Sequence, residues 1–183
     1  HLIKLFVDEY PNVVSTHDLD TGSLSALLGD CVIKLKPGEK FPKSKKVYAL
    51  SPSDQEHLDC LLQFMTKHGL VRPAKNLDLN ENTGCPVYLL PRKGNFGRMI
   101  IDFSIINPFL QSPVEIIPEL DVSIHFLQNF GLVTSIDLKN AYYSISLAEE
   151  CKHLTQFITK QGIFELNKLG TGLAASPTIY NDY

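Results

Sequence analysis

The segment from residue 133 to residue 145 constrains the fold more than any other part of the sequence. A run typical of an apolar strand, residues 133–136, ends at Asp137, and the adjacent tyrosines Tyr142 and Tyr143 follow before apolar residues alternate again. This pattern predicts a buried strand that ends in one carboxylate, which is costly to bury without a partner. One such partner is a divalent metal, because Mg²⁺ prefers oxygen ligands. The other is the backbone, with Asp137 capping a short helix that begins at Leu138, and spacing alone favours this cap.

The composition is that of an ordinary soluble globular protein. The chain has 183 residues, of which 44% are hydrophobic and 20% charged, enough for one or two domains with a real core. No apolar run is long enough to span a bilayer, so no membrane partner is expected. The 4 cysteines are scattered, which argues against a zinc site or a disulfide framework and fits a reducing compartment. The chain begins with His1 and shows no signal-peptide layout, so we expect a piece of a longer polypeptide.

The charge distribution separates two basic groups. The net charge of −3 does not indicate a nucleic-acid binder. Lysines crowd the segment from Lys34 to Lys46, which is best interpreted as a solvated loop. Arg92, Lys93 and Arg98 flank a glycine loop and are better placed to meet phosphate groups.

Local signals predict one clear helix. Ser51 suits the N-cap, Pro52 suits the first helical position, and Gly69 suits the C-terminal stop. Apolar residues at helical spacing form a core-facing stripe: Leu58, Leu61, Leu62 and Met65.

The rest of the chain reads as short strands and helices without a regular βαβ alternation, which predicts an α+β fold. Two hairpins are expected, one from strands 87–90 and 98–103 and one from strands 154–159 and 163–166. Residues 15–46 read as an extended arm with a strand at 31–35. A short helix is expected near 122–130, a strand at 132–136, and a helix capped by Ser176 with Pro177 at its first position.

Five segments, in order, resemble the fingers and palm of reverse transcriptases from retroviruses and long-terminal-repeat retrotransposons. They are residues 68–73, 86–93, 98–107, 134–145 (motif A) and 172–180 (motif B). The resemblance implies part of a right-hand polymerase: an N-terminal connector or arm at 1–46, fingers with a β-hairpin at 47–131, and a partial palm at 132–183. The partial palm would contain motif A, the second hairpin and the start of the motif B helix. The sequence stops before the family's Tyr-x-Asp-Asp motif.

The resemblance also implies roles near motif A. Asp137 would bind the catalytic Mg²⁺ ions, with Mn²⁺ as an alternative, and the backbone beside it, at Ala141, would touch the triphosphate of the incoming nucleotide. Such ions polarise the phosphoryl group during nucleotidyl transfer.

Other nucleotide contacts are implied for the basic hairpin and for motif B. Arg98, with Lys93 or its neighbour Arg92, would grip the triphosphate. Tyr142 would lie under the sugar and exclude a 2′-hydroxyl. Thr171 occupies the position that normally touches the incoming nucleotide, but its side chain is shorter than usual in the family.

We therefore expect the parent protein to be an RNA-directed DNA polymerase that extends a primer 3′-hydroxyl, and the 183-residue chain alone to be inactive. Expected partners are an RNA or DNA template with its primer, a dNTP, and the remainder of the pol polyprotein, comprising the rest of the palm, the thumb and RNase H. An intracellular location is expected, in the cytoplasm or within a viral or virus-like particle.

Two other functions stay open. The first is a host-captured, catalytically dead module of the same fold that binds protein or nucleic acid. Ser104, where many relatives have arginine, and Thr171 favour this alternative. The second is a viral RNA-dependent RNA polymerase, which ranks lower because it would place an aspartate in the sugar-gating region.

Overall fold

The computed structural model describes residues 8–11, 15, 20–41, 47–75, 84–92, 95–111, 124–125, 127, 130–133 and 137–183, without the side chains of 91–92 and 95–97. These residues form a mixed α+β fold, as the sequence predicts. The helices are α1 (Ser25–Leu28), α2 (Pro52–Lys67) and α3 (Ser176–Asp182), and the strands are β1 (Val71–Pro73), β2 (Cys85–Arg92), β3 (Asn95–Ile101), β4 (Phe157–Thr159) and β5 (Gly162–Leu166). Short 3₁₀ helices cover Phe103–Ile105, Asn107–Phe109, Ala141–Ser144 and Glu149–Thr155.

The described strands form one sheet with the order β1-β5-β4-β2-β3. Both predicted hairpins are present, as the antiparallel pairs β2–β3 and β4–β5. The parallel pair β2–β4 joins the two hairpins through Cys85 and Phe157. The predicted strand 154–159 starts too early, because Thr155 ends a 3₁₀ helix and its hydroxyl donates a hydrogen bond to the carbonyl of Lys152 (2.7 Å).

Helix α2 confirms the local signals that predicted it. The Ser51 hydroxyl accepts a hydrogen bond from the Asp54 amide (3.1 Å), which satisfies one of the free N–H groups of the first turn. Leu58, Leu62 and Met65 are buried. After the helix, Gly69 has φ +70°, where glycine carries little strain.

The N-terminal region is less of a free arm than the sequence suggests. We call residues 24–36 the N-terminal strap. Cys31 and Ile33 lie in the core, and isolated bridges join Cys31 to Leu147 and Leu35 to Leu110 where a continuous strand was expected. The lysine-rich segment from Lys34 to Lys46 begins within this strap, and its residues 42–46 lie outside the described residues. The assignment of 1–46 as a connector stays a prediction.

The start of α3 differs from the prediction by one residue. Ala175 is the N-cap, and Ser176 is the first helical residue, so Pro177 takes the second position. The Ser176 hydroxyl does not cap the helix, because it donates a hydrogen bond to the carbonyl of Gly170 (2.6 Å). In the described part of the chain, no helix has the length and hydropathy needed to cross a membrane.

Candidate functional site

Asp137 is exposed, which corrects the prediction that it ends a buried strand. Residues 134–136 lie outside the described residues, and the two residues before them, Leu132 and Val133, are in no strand and are 87% and 54% exposed. The burial cost therefore does not by itself demand a partner for this carboxylate.

The helix-capping interpretation of Asp137 is also wrong. The chain turns after Leu138, and the next helical segment begins at Ala141, with Asn140 in the N-cap position at φ +50°. Among the described residues, no group forms a hydrogen bond or ion pair with Asp137. Its carboxylate oxygens are open to solvent, so Asp137 remains available as a ligand.

The two tyrosines after Asp137 connect it to α3 and to β3. The rings of Tyr142 and Tyr180 meet edge to face, with centroids 5.5 Å apart and planes at 87°. Burial raises the pKa of the Tyr143 phenol, and the nearby positive charge of Arg98 opposes that rise. The charge of Arg98, on β3, thus acts on the Ala141–Ser144 segment.

The basic hairpin is described only in part. Arg98 is exposed on β3, opposite Leu90 of β2. Arg92 ends β2 opposite Asn95, and its side chain lies outside the described residues, as does the whole of Lys93. The phosphate-binding roles of Arg98, Lys93 and Arg92 therefore stay predictions.

Thr171 lies in a turn that is fixed on both sides. Gly172 has φ +92°, a conformation that other residues adopt only with strain. The side-chain amide of Asn107 donates to the Gly172 carbonyl (2.9 Å) and accepts from the Ala174 amide (2.9 Å). The sequence analysis did not single out Asn107, although it ends the third of the resembling segments.

Ser104 is exposed and forms hydrogen bonds to Asp102. Its amide and its hydroxyl both donate to Asp102 Oδ1 (3.1 and 2.5 Å), and the Tyr48 hydroxyl donates to Oδ2 (2.8 Å). Asp102 thereby caps the 3₁₀ helix Phe103–Ile105. Both residues support the chain between β3 and Asn107.

The donor chemistry of Asp137 suits Mg²⁺, which binds through one or two carboxylates together with water. Among the described residues, however, no three His, Cys, Asp or Glu side chains come together in a way that would hold a metal ion. The metal-binding role of Asp137 therefore stays a prediction.

A separate charged cluster, which the sequence did not reveal, lies where β1, β5 and the 3₁₀ helix Glu149–Thr155 meet. Arg72 donates to Glu165 (2.7 Å) and, through both Nη atoms, to Glu149 (2.6 and 2.9 Å). Lys75 and Lys152 also donate to Glu149 (2.8 and 3.0 Å). We call these five residues the Glu149 cluster; four of them, all but Lys152, line a cavity of about 480 Å³ together with Glu150 and His153.

The Glu149 cluster predicts a stability that depends on pH. Hydrogen bonds from Arg72, Lys75 and Lys152 hold the pKa of the Glu149 carboxyl far below its ordinary value of 4.5. Because the folded-state pKa is depressed, the stabilisation is complete above pH 4.5 and is lost as the pH falls below it. Glu149→Gln should therefore be less stable than the parent chain at pH 7, and the difference between the two should shrink steadily as the pH falls below 4.5.

Urea denaturation at pH 7, 5, 4 and 3 measures this effect, with Glu150→Gln as the control for the loss of one exposed carboxylate nearby. A difference between Glu149→Gln and the parent that stays constant from pH 7 to pH 3 would contradict it.

The chain was compared with known protein families, sequences and structures. No protein-family profile matches the chain. The Tf2-3 and Tf2-7 transposon polyproteins of Schizosaccharomyces pombe are each 25% identical to it over 130 residues, which is 71% of this chain and 9% of each polyprotein. The chain thus spans about a tenth of the length of these relatives.

Solved structures share the fold. The native prototype foamy virus protease-reverse transcriptase superposes with a TM-score of 0.76 at 20% identity, and a selenomethionine-labelled mutant of it with 0.76 at 17%. Each match covers 99% of this chain and 23% of the viral chain. The resemblance to the pol region of retrotransposons and retroviruses is thereby confirmed, while the division into fingers and palm stays a prediction.

Proposed function

We propose that this relative of retrotransposon polyproteins is part of an RNA-directed DNA polymerase, and that it binds the incoming dNTP and the template–primer during nucleotidyl transfer to the primer 3′-hydroxyl. The observation that carries the proposal is the shared fold, because the chain superposes on a protease-reverse transcriptase with a TM-score of 0.76 over 99% of its length. Two exposed side chains suit the proposed chemistry: Arg98 on the β2–β3 hairpin and Asp137 just before the Ala141–Ser144 segment. A triphosphate site needs a cation and a metal-binding carboxylate.

In this proposal Arg98 binds the triphosphate, with Lys93 or Arg92 adding a second positive charge. A guanidinium group matches phosphate oxygens in a bidentate geometry, whereas a lysine acts as a point charge. Asp137 supplies one ligand to Mg²⁺, or to Mn²⁺, and the ion when bound polarises the phosphoryl group.

The sugar and base contacts belong to the residues around Tyr142. Its ring is held by edge-to-face contact with Tyr180, so it can act as a rigid wall that excludes a 2′-hydroxyl. The backbone at Ala141 would touch the triphosphate. Thr171 would face the nucleotide from the turn before α3.

The main test of this proposal is the affinity for a dNTP. Arg98→Ala should weaken binding of a fluorescent dNTP to the 183-residue chain by roughly 10- to 100-fold, because hydrogen bonds to a charged group contribute about 1.5–3 kcal/mol. The dNTP affinity of Arg98→Lys should lie between those of the parent chain and Arg98→Ala, since lysine keeps the charge and loses the bidentate geometry.

Lys160→Ala is the matched control, because Lys160 is an exposed cation in the turn between β4 and β5. Binding that is equally affected by Lys160→Ala and Arg98→Ala would reflect general charge and would overturn the assignment of Arg98. Both titrations should be run at two salt concentrations, since nonspecific charge effects weaken with salt.

We further propose that the 183-residue chain does not polymerise by itself, because its sequence contains no Tyr-x-Asp-Asp motif to supply further carboxylates. The rest of the pol polyprotein, including palm, thumb and RNase H, would complete the enzyme inside the cell or a viral or virus-like particle. Primer extension with Mg²⁺ or Mn²⁺ and dNTPs tests this. Template-dependent extension that disappears in Asp137→Asn would show the chain to be active.

The second candidate is the captured, inactive module. It is favoured by Ser104, whose hydroxyl is engaged by Asp102 and so cannot replace the nucleic-acid contact of an arginine. Such a module would bind template–primer without any gain in affinity from a dNTP. The coding sequence after Tyr183 also discriminates, since a Tyr-x-Asp-Asp motif followed by RNase H would indicate a polymerase.

A further inference from the structure

We propose that Asn107 is a positioning residue, which holds the Gly170–Gly172 turn so that Thr171 and the start of α3 are correctly placed toward the nucleotide. This inference rests on the proposed function. Asn107 does not itself need to touch the substrate.

The side-chain amide of Asn107 matches both groups that it contacts. The Asn107 amide uses its donor toward the Gly172 carbonyl and its acceptor toward the Ala174 amide, both at 2.9 Å. It therefore pairs with the turn through one donor and one acceptor, as the peptide groups of a neighbouring segment would. Aspartate offers no donor at neutral pH and alanine offers neither group, so this side chain is specifically suited to the task.

Asn107 is itself firmly anchored. It begins the 3₁₀ helix Asn107–Phe109, directly after the fully buried Ile106. On the other side, Lys36 of the N-terminal strap donates to the carbonyl of Pro108 (2.6 Å). The amide thus links a packed element to the backbone of the Gly170–Gly172 turn.

Asn107 acts on the turn that contains Thr171. Gly170 is fixed by Ser176 at one end of the turn, and Gly172 by Asn107 at the other, so Thr171 lies between two held points. Asn107 is only half-buried, and hydrogen bonds that water can replace contribute little to stability. Two such bonds from one side chain define geometry more than they stabilise the fold.

The experiment compares Asn107→Ala with Asn167→Ala in the 183-residue chain. Asn167 is the matched control, because its side-chain amide also donates to a backbone carbonyl, that of Gly69 (3.1 Å), next to β1. We expect similar small shifts of the urea midpoint in both variants. We expect the affinity for a fluorescent dNTP to fall about 5- to 10-fold in Asn107→Ala alone.

Two further measurements sharpen the test. Hydrogen exchange at the Ala174 amide should accelerate in Asn107→Ala, with exchange in α2 unchanged. Asn107→Asp should behave like Asn107→Ala in affinity, because it keeps the acceptor for Ala174 but turns an oxygen toward the Gly172 carbonyl.

The outcomes separate the two proposals. If the parent chain binds a dNTP and Asn107→Ala binds it equally well, the positioning role is overturned while the proposed function stands. If Asn107→Ala and Asn167→Ala lose affinity equally, the effect is one of stability, and the positioning role is again overturned. If the parent chain itself binds no dNTP, the proposed function fails and this inference fails with it.

Discussion

Arg72→Leu is expected to lower the free energy of unfolding by about 3–5 kcal/mol, the cost of leaving a buried charge without its partner. Glu165 is 2% exposed, and the hydrogen bond it accepts from Arg72 Nε is 2.7 Å long. Removing Arg72 leaves the buried Glu165 carboxylate without this hydrogen bond. It also removes the two hydrogen bonds that Arg72 donates to Glu149. Urea denaturation with an unchanged m-value measures the loss.

Two control variants identify the cause. Arg72→Leu/Glu165→Leu should recover much of the stability, because replacing both members of a buried pair by apolar groups removes the desolvation penalty. Lys75→Ala removes an exposed cation from the same cluster and should cost less than about 1 kcal/mol. A loss for Arg72→Leu no larger than that for Lys75→Ala would mean that Glu165 finds water or another donor.

The elements that sequence alone predicted are those whose signals are local. The Ser51 cap, the α2 stripe and the two hairpins each depend on residues a few positions apart. The Arg72–Glu165 pair joins residues 93 positions apart, and no local pattern marks it. The parallel pairing of β2 with β4 was missed for the same reason.

The errors at Asp137 have a different physical cause. An apolar run shows that a segment can be buried, but it does not show what covers it. Leu132 is 87% exposed, so the premise of a buried strand end does not hold for the described residues. The expected helix at Leu138 gives way to a turn through Asn140 with φ +50°, a conformation that asparagine tolerates better than most residues.

The site residues came from the resemblance and not from physical patterns. Their nucleotide-binding roles stay predictions; the structure adds that the ring of Tyr142 lies against that of Tyr180. Asn107 escaped notice because an asparagine has no distinctive spacing. Only the fold brings it to the Gly172 backbone, 65 positions away.

Phe103→Ala is expected to cost about 3–5 kcal/mol and to loosen the Thr171 turn as well. Phe103 is 1% exposed, in the 3₁₀ helix that leads to Asn107. Its ring lies directly beneath the turn: a Cβ at Gly172 would be 3.5 Å from the ring, and one at Gly170 would be 3.8 Å from it. Truncation therefore opens a cavity under both fixed ends of the turn.

Phe157→Ala provides the comparison, because Phe157 is equally buried and lies in β4, where it stacks on Phe164 at 5.9 Å. Both variants should lose similar stability in urea, since the same number of buried carbons is removed. Only Phe103→Ala should also accelerate hydrogen exchange at the Ala174 amide under native conditions, as local opening requires less free energy than global unfolding. Equal acceleration in both variants would mean that the turn responds to overall stability, and that Phe103 does not control it locally.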